Sequence, residues 1–182
     1  MKITSRQITT IGLLIALSII LTRVASIRIA IGGIEGVRIG FGELPIILGG
    51  IMFGPLAGGL IGAISDLLGY FINPIGAYMP HFTLVSSLKG IIPVLILGWF
   101  NQKREIKTGE LILAIATGHI ITSVLLVSLF LHIIFGLPWA ILIPPRIIAA
   151  PINITIYVYI TKRLLRNNII NRGWVKSDTI LP

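Results

Sequence analysis

The sequence is dominated by long apolar runs that are separated by short polar stretches. The first run, from Ile8 to Leu21, is preceded by Lys2 and Arg6, and similar runs recur as far as residue 165. A helix that crosses the hydrocarbon core of a bilayer needs about 20 apolar residues. The pattern therefore predicts an all-α membrane protein, with residues 1–182 forming a single domain. We expect helices over residues 7–22, 44–53, 56–71, 84–100, 110–135 and 145–165, followed by a polar tail at 167–182.

The stretch from Leu44 to Phe71 decides how many times the chain crosses the membrane. It is too long for one span and too short for two full spans, which would need about 40 residues. Gly54-Pro55 lies inside it, and proline interrupts a helix but is favoured at the start of the next one. One kinked helix and two successive helices, the first of them short, are both compatible with this pattern.

The distribution of basic residues favours two crossings. Cytoplasmic loops of membrane proteins carry an excess of Lys and Arg. Basic clusters precede the first helix, separate the fourth from the fifth and follow the last: Lys2 and Arg6; Lys103, Arg104 and Lys107; Lys162, Arg163, Arg166, Arg172 and Lys176. All three clusters reach the cytoplasm only if 44–71 crosses twice. The prediction is six transmembrane helices with both termini in the cytoplasm.

On this topology residues 23–42 form a long external loop. Isoleucines at 27, 29 and 31 alternate with Arg28 and Ala30, which is typical of a short strand. Gly32-Gly33 favours a turn. The loop is therefore predicted to form a β-hairpin that acts as a lid.

The first helix carries a possible contact surface. Gly12 and Ala16 are spaced so that another helix can approach closely, either within the domain or from a partner subunit. Arg23, rather than a small-residue cleavage site, follows the apolar run. We therefore expect a retained helix and not a cleaved signal peptide.

Composition excludes several classes of function. The chain has 182 residues, of which 55% are hydrophobic, a mean hydropathy of +0.99 and a net charge of +9. The basic residues are dispersed, so nucleic-acid binding is not expected. The chain has no cysteine, which excludes thiol catalysis and Cys-ligated zinc, and its three histidines lack metal-ligand spacing. Nucleotide-binding and hydrolase motifs are absent as well, so no catalytic residue, metal or cofactor is predicted.

Four arginines fall on the predicted external side, against the usual bias: Arg23, Arg28, Arg38 and Arg146. A guanidinium group binds a carboxylate through two parallel hydrogen bonds, so the cluster indicates an anionic substrate. The alternative is that Arg28 pairs with Glu35 while the others contact lipid phosphate. We expect Arg38 and Arg146 to be the favoured ligand contacts.

Asp66 and Lys89 are isolated charges at similar predicted depth on neighbouring helices. A lone charge inside the membrane is costly, so we expect the two to form a buried ion pair that fixes helix register. Either residue could also reach the ligand.

The predicted external loop from Asn73 to Thr83 supplies groups that suit a flat heterocyclic ligand. Tyr78 and Phe82 can stack on such a ring, and the Asn73 side chain can read its donors and acceptors. The alternative is an aromatic belt at the membrane interface.

Three segments resemble the substrate-binding S component of energy-coupling factor (ECF) vitamin transporters, and most closely the folate-specific one. They are Arg38-x-Gly40-Phe41-Gly42-x-Leu44-Pro45; Gly54-Pro55 with Gly58, Gly62 and Asp66; and Gly76-x-Tyr78-x-Pro80-x-Phe82-Thr83 with Lys89-Gly90. One position departs from the family pattern, since related loops often read Pro-Gly-Phe-Thr and His81 stands here in place of the glycine.

The resemblance implies a six-helix protein of a bacterial cell membrane that binds one vitamin near the external face. Its implied partners are a membrane-embedded coupling subunit and two cytosolic ATPase subunits, which use the ATP. Gly12 and Ala16 occupy the positions of the two alanines in the A-x-x-x-A motif by which the first helix of the family docks on the coupling subunit. The substrate-binding candidates are Arg23, Arg38, Asn73, Tyr78, Phe82, Lys89 and Arg146.

Folate matches these candidates chemically, because a pterin and a benzoyl ring suit aromatic side chains and two carboxylates suit arginines. The alternatives are an S component for another anionic vitamin or precursor, such as pantothenate, and a membrane assembly protein that transports nothing.

Overall fold

A computed structural model describes residues 4–24, 26–31, 34–74, 78–100 and 106–166, with residues 27–31 and 34–39 described by their backbone alone. Six helices and one two-stranded hairpin lie in these ranges. They are α1 Ser5–Arg23, β1 Ser26–Ile31, β2 Ile34–Gly40, α2 Glu43–Phe53, α3 Pro55–Ile72, α4 Pro80–Trp99, α5 Thr108–Phe135 and α6 Trp139–Arg166. Within α5, Ile120–Leu126 forms a π-helical segment.

Five of these helices are long and apolar enough to cross a membrane, and α2 is the shorter one. With 11 residues, α2 is about 16 Å long, roughly half the thickness of the hydrocarbon core. The extended strand β2 leads almost directly into it.

The break predicted between the second and third helices is present. Gly54 has a φ of 95°, a backbone conformation that favours glycine, and Pro55 is the first residue of α3. The Gly54 N–H still bonds to the Gly50 carbonyl at 2.8 Å. The chain thus leaves one helix and enters the next without a loop.

Glycines bring α2, α3 and α4 into backbone contact. A Cβ atom added to Gly90 would lie 2.3 Å from the backbone of Gly58, and one added to Gly50 would lie 2.5 Å from the Gly90 carbonyl oxygen. No methyl group fits at such distances. The glycine-rich run around Gly54 therefore serves close helix packing.

The core of the bundle is built around α2, whose residues from Leu44 to Ile51 are all buried. The main apolar cluster comprises Leu44, Ile47, Leu48, Ile51, Val94, Leu111, Ile115, Tyr157 and Val158. A helix that is apolar all round belongs in the interior of a protein. Because α2 is central, the residues at its beginning are surrounded by the other helices.

Two predicted helix starts are wrong. The fourth helix begins at Pro80 rather than 84, because proline suits the first helical position. The sixth begins at Trp139 rather than 145, and Pro144, Pro145 and Pro151 lie inside it. In a bilayer, backbone polar groups have no water to bond to, so a helix persists through prolines that would end it in a soluble protein.

The hairpin predicted in the first loop is present. β1 and β2 pair antiparallel, with Ile27 opposite Ile39 and Arg28 opposite Arg38. Its function as a lid stays a prediction, and the tail at 167–182 lies outside the described residues.

Candidate functional site

Four of the predicted site residues, Arg23, Asn73, Tyr78 and Phe82, lie at one end of the bundle. The hairpin follows α1, so the chain reaches this end where α1, α3 and α5 finish and where α4 and α6 begin. We call it the hairpin end.

Arg23, the last residue of α1, is held against α3. Its Nη1 donates to the Asn73 carbonyl oxygen at 2.9 Å. Its guanidinium also covers Gly69, where an added Cβ would lie 3.2 Å from Nη2. Arg23 and Asn73 are therefore brought together, and Asn73 takes part in this contact through its backbone.

Tyr78 is linked to Asp66 through Thr83. The Tyr78 hydroxyl lies 2.8 Å from Thr83 Oγ1, which donates to Asp66 Oδ2 at 2.7 Å. The Tyr78 ring packs on Tyr70 with centroids 5.2 Å apart, and the residue is 38% exposed. A partly exposed aromatic face is thus fixed at the end of α3.

A second aromatic group lies on the first turn of α4. The rings of His81 and Phe82 are 4.6 Å apart, and His81 also lies 4.8 Å from the ring of Phe130 on α5. Phe82 therefore belongs to a cluster that joins α4 to α5, and its position on a helix rather than in a loop corrects the predicted loop boundary.

Arg146 is buried, with 6% of its surface exposed. Its Nη1 donates to the Leu142 carbonyl oxygen at 2.8 Å and lies 3.3 Å from Ser128 Oγ on α5. The predicted helix over 145–165 would place Arg146 in its first turn, which is wrong because α6 begins about two turns earlier. The residue is a buried cation between α5 and α6.

The predicted ion pair between Asp66 and Lys89 is wrong. Lys89 Nζ contacts Glu43 Oε1 at 2.6 Å, whereas Asp66 accepts its hydrogen bond from Thr83. Depth along a helix can be read from sequence, but the direction in which a side chain leaves the helix relative to its neighbours cannot. Lys89 faces α2, and Asp66 faces the first turn of α4.

Glu43 is the centre of a polar network that the sequence did not reveal. Besides Lys89, its carboxylate contacts His119 Nδ1 at 3.0 Å and accepts from Ser123 Oγ at 3.2 Å. A carboxylate only accepts hydrogen bonds, so His119 carries its proton on Nδ1. His119 reaches this carboxylate because Glu43, at the start of α2, lies beside the middle of α5.

The segment between β2 and α2 is anchored by two further hydrogen bonds. Tyr157, which is 1% exposed, donates to the Gly40 carbonyl oxygen at 2.8 Å, and Ser18 Oγ donates to that of Gly42 at 2.8 Å. The rings of Tyr157 and His119 meet edge to face at 5.8 Å. Ser123 lies in the π-helical segment, a deviation that is frequent at functional sites.

The remaining predicted residues are placed as follows. The backbones of Arg28 and Arg38 pair in the hairpin, and their side chains lie outside the described part of the chain, as does Gly76. Gly12 and Ala16 are exposed on α1, with no atom within 4 Å of a Cβ added to Gly12. Among the described residues, no group of three or more His, Cys, Asp or Glu side chains is arranged to hold a metal ion.

Comparison with known proteins identifies relatives over almost the whole chain. A family model described as the ECF-type riboflavin transporter, S component, matches residues 2–169. The folate transporter FolT of Clostridium novyi (strain NT) is 34% identical over 147 residues, which cover 81% of this chain and 80% of that protein.

Solved structures share the fold. The crystal structure of FolT bound with folic acid superposes with a TM-score of 0.73 at 28% identity, covering 91% of this chain and 95% of the other. An S component of a bacterial ECF transporter superposes with a TM-score of 0.66 at 23% identity, covering 92% of this chain and 98% of that one. The second likeness concerns the fold alone.

Proposed function

The chain belongs to the family of ECF-type riboflavin transporter S components, and from this premise we propose that it binds folate and delivers it across the membrane. The observation that carries the proposal is the likeness to FolT with folic acid bound, which extends over 91% of the chain. The family consists of transporter components and not of enzymes.

The hairpin end has the chemistry that folate requires. Tyr78 and Phe82 offer aromatic faces for the pterin and benzoyl rings. Arg23 and Arg146 are cations at or near this end, and each can pair with a carboxylate of the glutamate moiety. Arg38, Asn73 and Lys89 remain proposed contacts, with Lys89 retaining N–H donors beyond the one that it gives to Glu43.

We propose six membrane crossings, with the hairpin end outside and both termini in the cytoplasm. Basic residues in the described helices, or directly before one, support this orientation because they lie at the opposite end: Arg6, Lys107, Lys162, Arg163 and Arg166. The hairpin then covers the external end of the bundle as a lid.

Energy for uptake comes from partners in this proposal. The sequence has no phosphate-binding loop, so we propose that a membrane-embedded coupling subunit and two cytosolic ATPases complete the transporter. The exposed Gly12 and Ala16 on α1 form the proposed docking step for the coupling subunit.

Riboflavin is the second candidate, because the matching family model is described by that vitamin. Riboflavin carries no charge, whereas folate carries two carboxylates. The buried Arg146 and the Arg23 at the hairpin end favour the anionic ligand. Pantothenate, a smaller anion without a ring, would leave the aromatic side chains unused.

Direct titration tests the function. We expect the purified chain to bind folate more tightly than riboflavin or pantothenate, and to lose affinity for pteroate, which lacks the glutamate carboxylates. Replacing a contacting arginine, as in Arg23→Gln or Arg146→Gln, should weaken folate binding by roughly 2 to 5 kcal/mol if the charge pair is desolvated. Calorimetry measures both effects.

Arg163→Gln is the matched control, since Arg163 is exposed at the other end of α6. Equal affinity for folate and pteroate, together with unchanged binding in both arginine variants, would refute the carboxylate argument. Tighter binding of riboflavin than of folate would identify riboflavin as the ligand instead.

A further inference from the structure

The hydrogen bonds at Tyr78 have a defined direction. A threonine hydroxyl has one proton, and Thr83 donates it to the Asp66 carboxylate, which can only accept. At 2.8 Å, Thr83 Oγ1 must therefore accept from the Tyr78 hydroxyl. The phenol proton is committed to the protein, and the phenol oxygen keeps only acceptor capacity toward a ligand.

The hydrogen-bonded series Tyr78–Thr83–Asp66, which we call the relay, joins a residue that precedes a helix to one on closely packed helices. Asp66 lies on α3, which packs so closely on α4 that a Cβ added to Gly62 would be 2.1 Å from the Ser86 carbonyl oxygen. Thr83 lies on the first turn of α4. Tyr78 precedes α4 and is 38% exposed, so its ring depends on contacts with the helices for its orientation. Through the relay, the fixed packing of α3 against α4 sets the orientation of the Tyr78 ring.

We propose that Asp66 and Thr83 are positioning residues that hold the Tyr78 ring against Tyr70 and present its phenol oxygen as an acceptor to the heterocycle of the ligand. The inference rests on the proposed function for the ligand, and on the hydrogen bonds for the relay. Ordering a mobile side chain upon binding costs affinity. Because the Tyr78 ring is already ordered before the ligand binds, this cost is avoided and the complex is more stable. The gain appears mainly as slower dissociation of the ligand.

The test separates the relay from the ligand. Tyr78 is replaced by 3-fluorotyrosine in the full-length chain, and the fluorine NMR spectrum is recorded without ligand. We expect one narrow resonance in the parent protein and in Thr83→Ser, which keeps the hydroxyl. Thr83→Val removes the hydroxyl at nearly the same volume and should broaden or split the resonance.

Folate kinetics on unlabelled protein give the second measurement. Thr83→Val and Tyr78→Phe should each weaken binding about three- to tenfold, mainly through faster dissociation. The double variant should be no weaker than the weaker single variant, because both changes break the same connection. Thr83→Ser should bind as the parent does.

Each outcome decides one claim. An unchanged resonance in Thr83→Val overturns the relay, whatever folate does. If the Thr83→Val resonance broadens or splits while the rate of folate dissociation is unchanged, the positioning role is overturned. Additive losses of folate affinity in the double variant would overturn it as well. A parent chain that does not bind folate refutes the proposed function, and the fluorine spectra then still judge the relay.

Discussion

One carboxylate, that of Glu43, links three helices in the middle of the bundle. Lys89 of α4 and His119 and Ser123 of α5 all contact it, and its side chain is 17% exposed. A buried charge pair adds little net stability over apolar residues, but removing one partner leaves a charge that the interior cannot solvate. At the scale of residues, the position of the start of α2 is therefore set by the pairing of the Glu43 carboxylate with the Lys89 ammonium group.

This network predicts a thermodynamic coupling. Glu43→Gln and Lys89→Met should each lower the free energy of unfolding by about 3 kcal/mol, because each leaves one charge unpaired. The double variant should lose much less than the sum of the two. Thermal unfolding in mild detergent measures the losses.

Glu110→Gln serves as the control for this coupling. Glu110 lies in the first turn of α5, and its carboxylate accepts from the exposed Lys107 N–H. Glutamine keeps an oxygen that can accept this bond, so a change of no more than about 1 kcal/mol is expected. Strictly additive losses at Glu43 and Lys89 would show that the two are not coupled.

At the scale of elements, glycines set the distance between α2, α3 and α4. Gly58 and Gly90 bring two helix backbones together, and Gly50 does the same from α2. Apolar side chains gain nothing by leaving lipid for a protein interior, so helices in membranes associate through close van der Waals contact. This contact also places the first turn of α4 beside Asp66, and the helix interface thus builds part of the candidate site.

Gly90→Ala should accordingly destabilise the protein. The added methyl group would meet the backbone of Gly58 and force the two helices apart, at a cost of about 1 to 3 kcal/mol. Gly109→Ala is the control, because no atom lies within 4 Å of a Cβ added there. Equal melting temperatures for the two variants would contradict the packing argument.

At the scale of the whole molecule, the bundle is polarised. Tyr78, Phe82 and the hairpin lie at one end, while Lys107, which precedes α5, and the exposed basic residues of α6 lie at the other. The proposed importer requires such an asymmetry, since its ligand would enter at one face and its energy-supplying partners would act at the other. The basic residues at the second end suit the proposed cytoplasmic side.

Cysteine labelling tests the orientation in intact cells. The native chain has no cysteine, so a single introduced thiol is the only reactive site. Val24→Cys at the hairpin end, where the residue is 80% exposed, should react with a membrane-impermeant maleimide. Arg166→Cys at the end of α6 should react only after the cells are opened. Labelling of Arg166→Cys from outside would refute the six-crossing topology.

The sequence by itself determined the features that depend on local chemistry. Membrane class follows from the transfer free energy of apolar runs, and the turn at Gly54-Pro55 follows from the backbone preferences of two residues. The hairpin, the six helices and the family resemblance could be read in the same way. Helix starts at prolines were predicted less well. Pro80 takes the first position of α4, as proline does in soluble proteins, whereas the prolines inside α6 are tolerated in a membrane helix.

Only the tertiary structure decided which polar groups meet. Lys89 contacts Glu43, which lies 46 residues earlier in the sequence, and does not contact Asp66. His119 meets the same carboxylate from 76 residues away. Hydropathy fixes the depth of a residue, but partner choice depends on the rotation of each helix about its axis, and that rotation is set by the packing of all the helices at once.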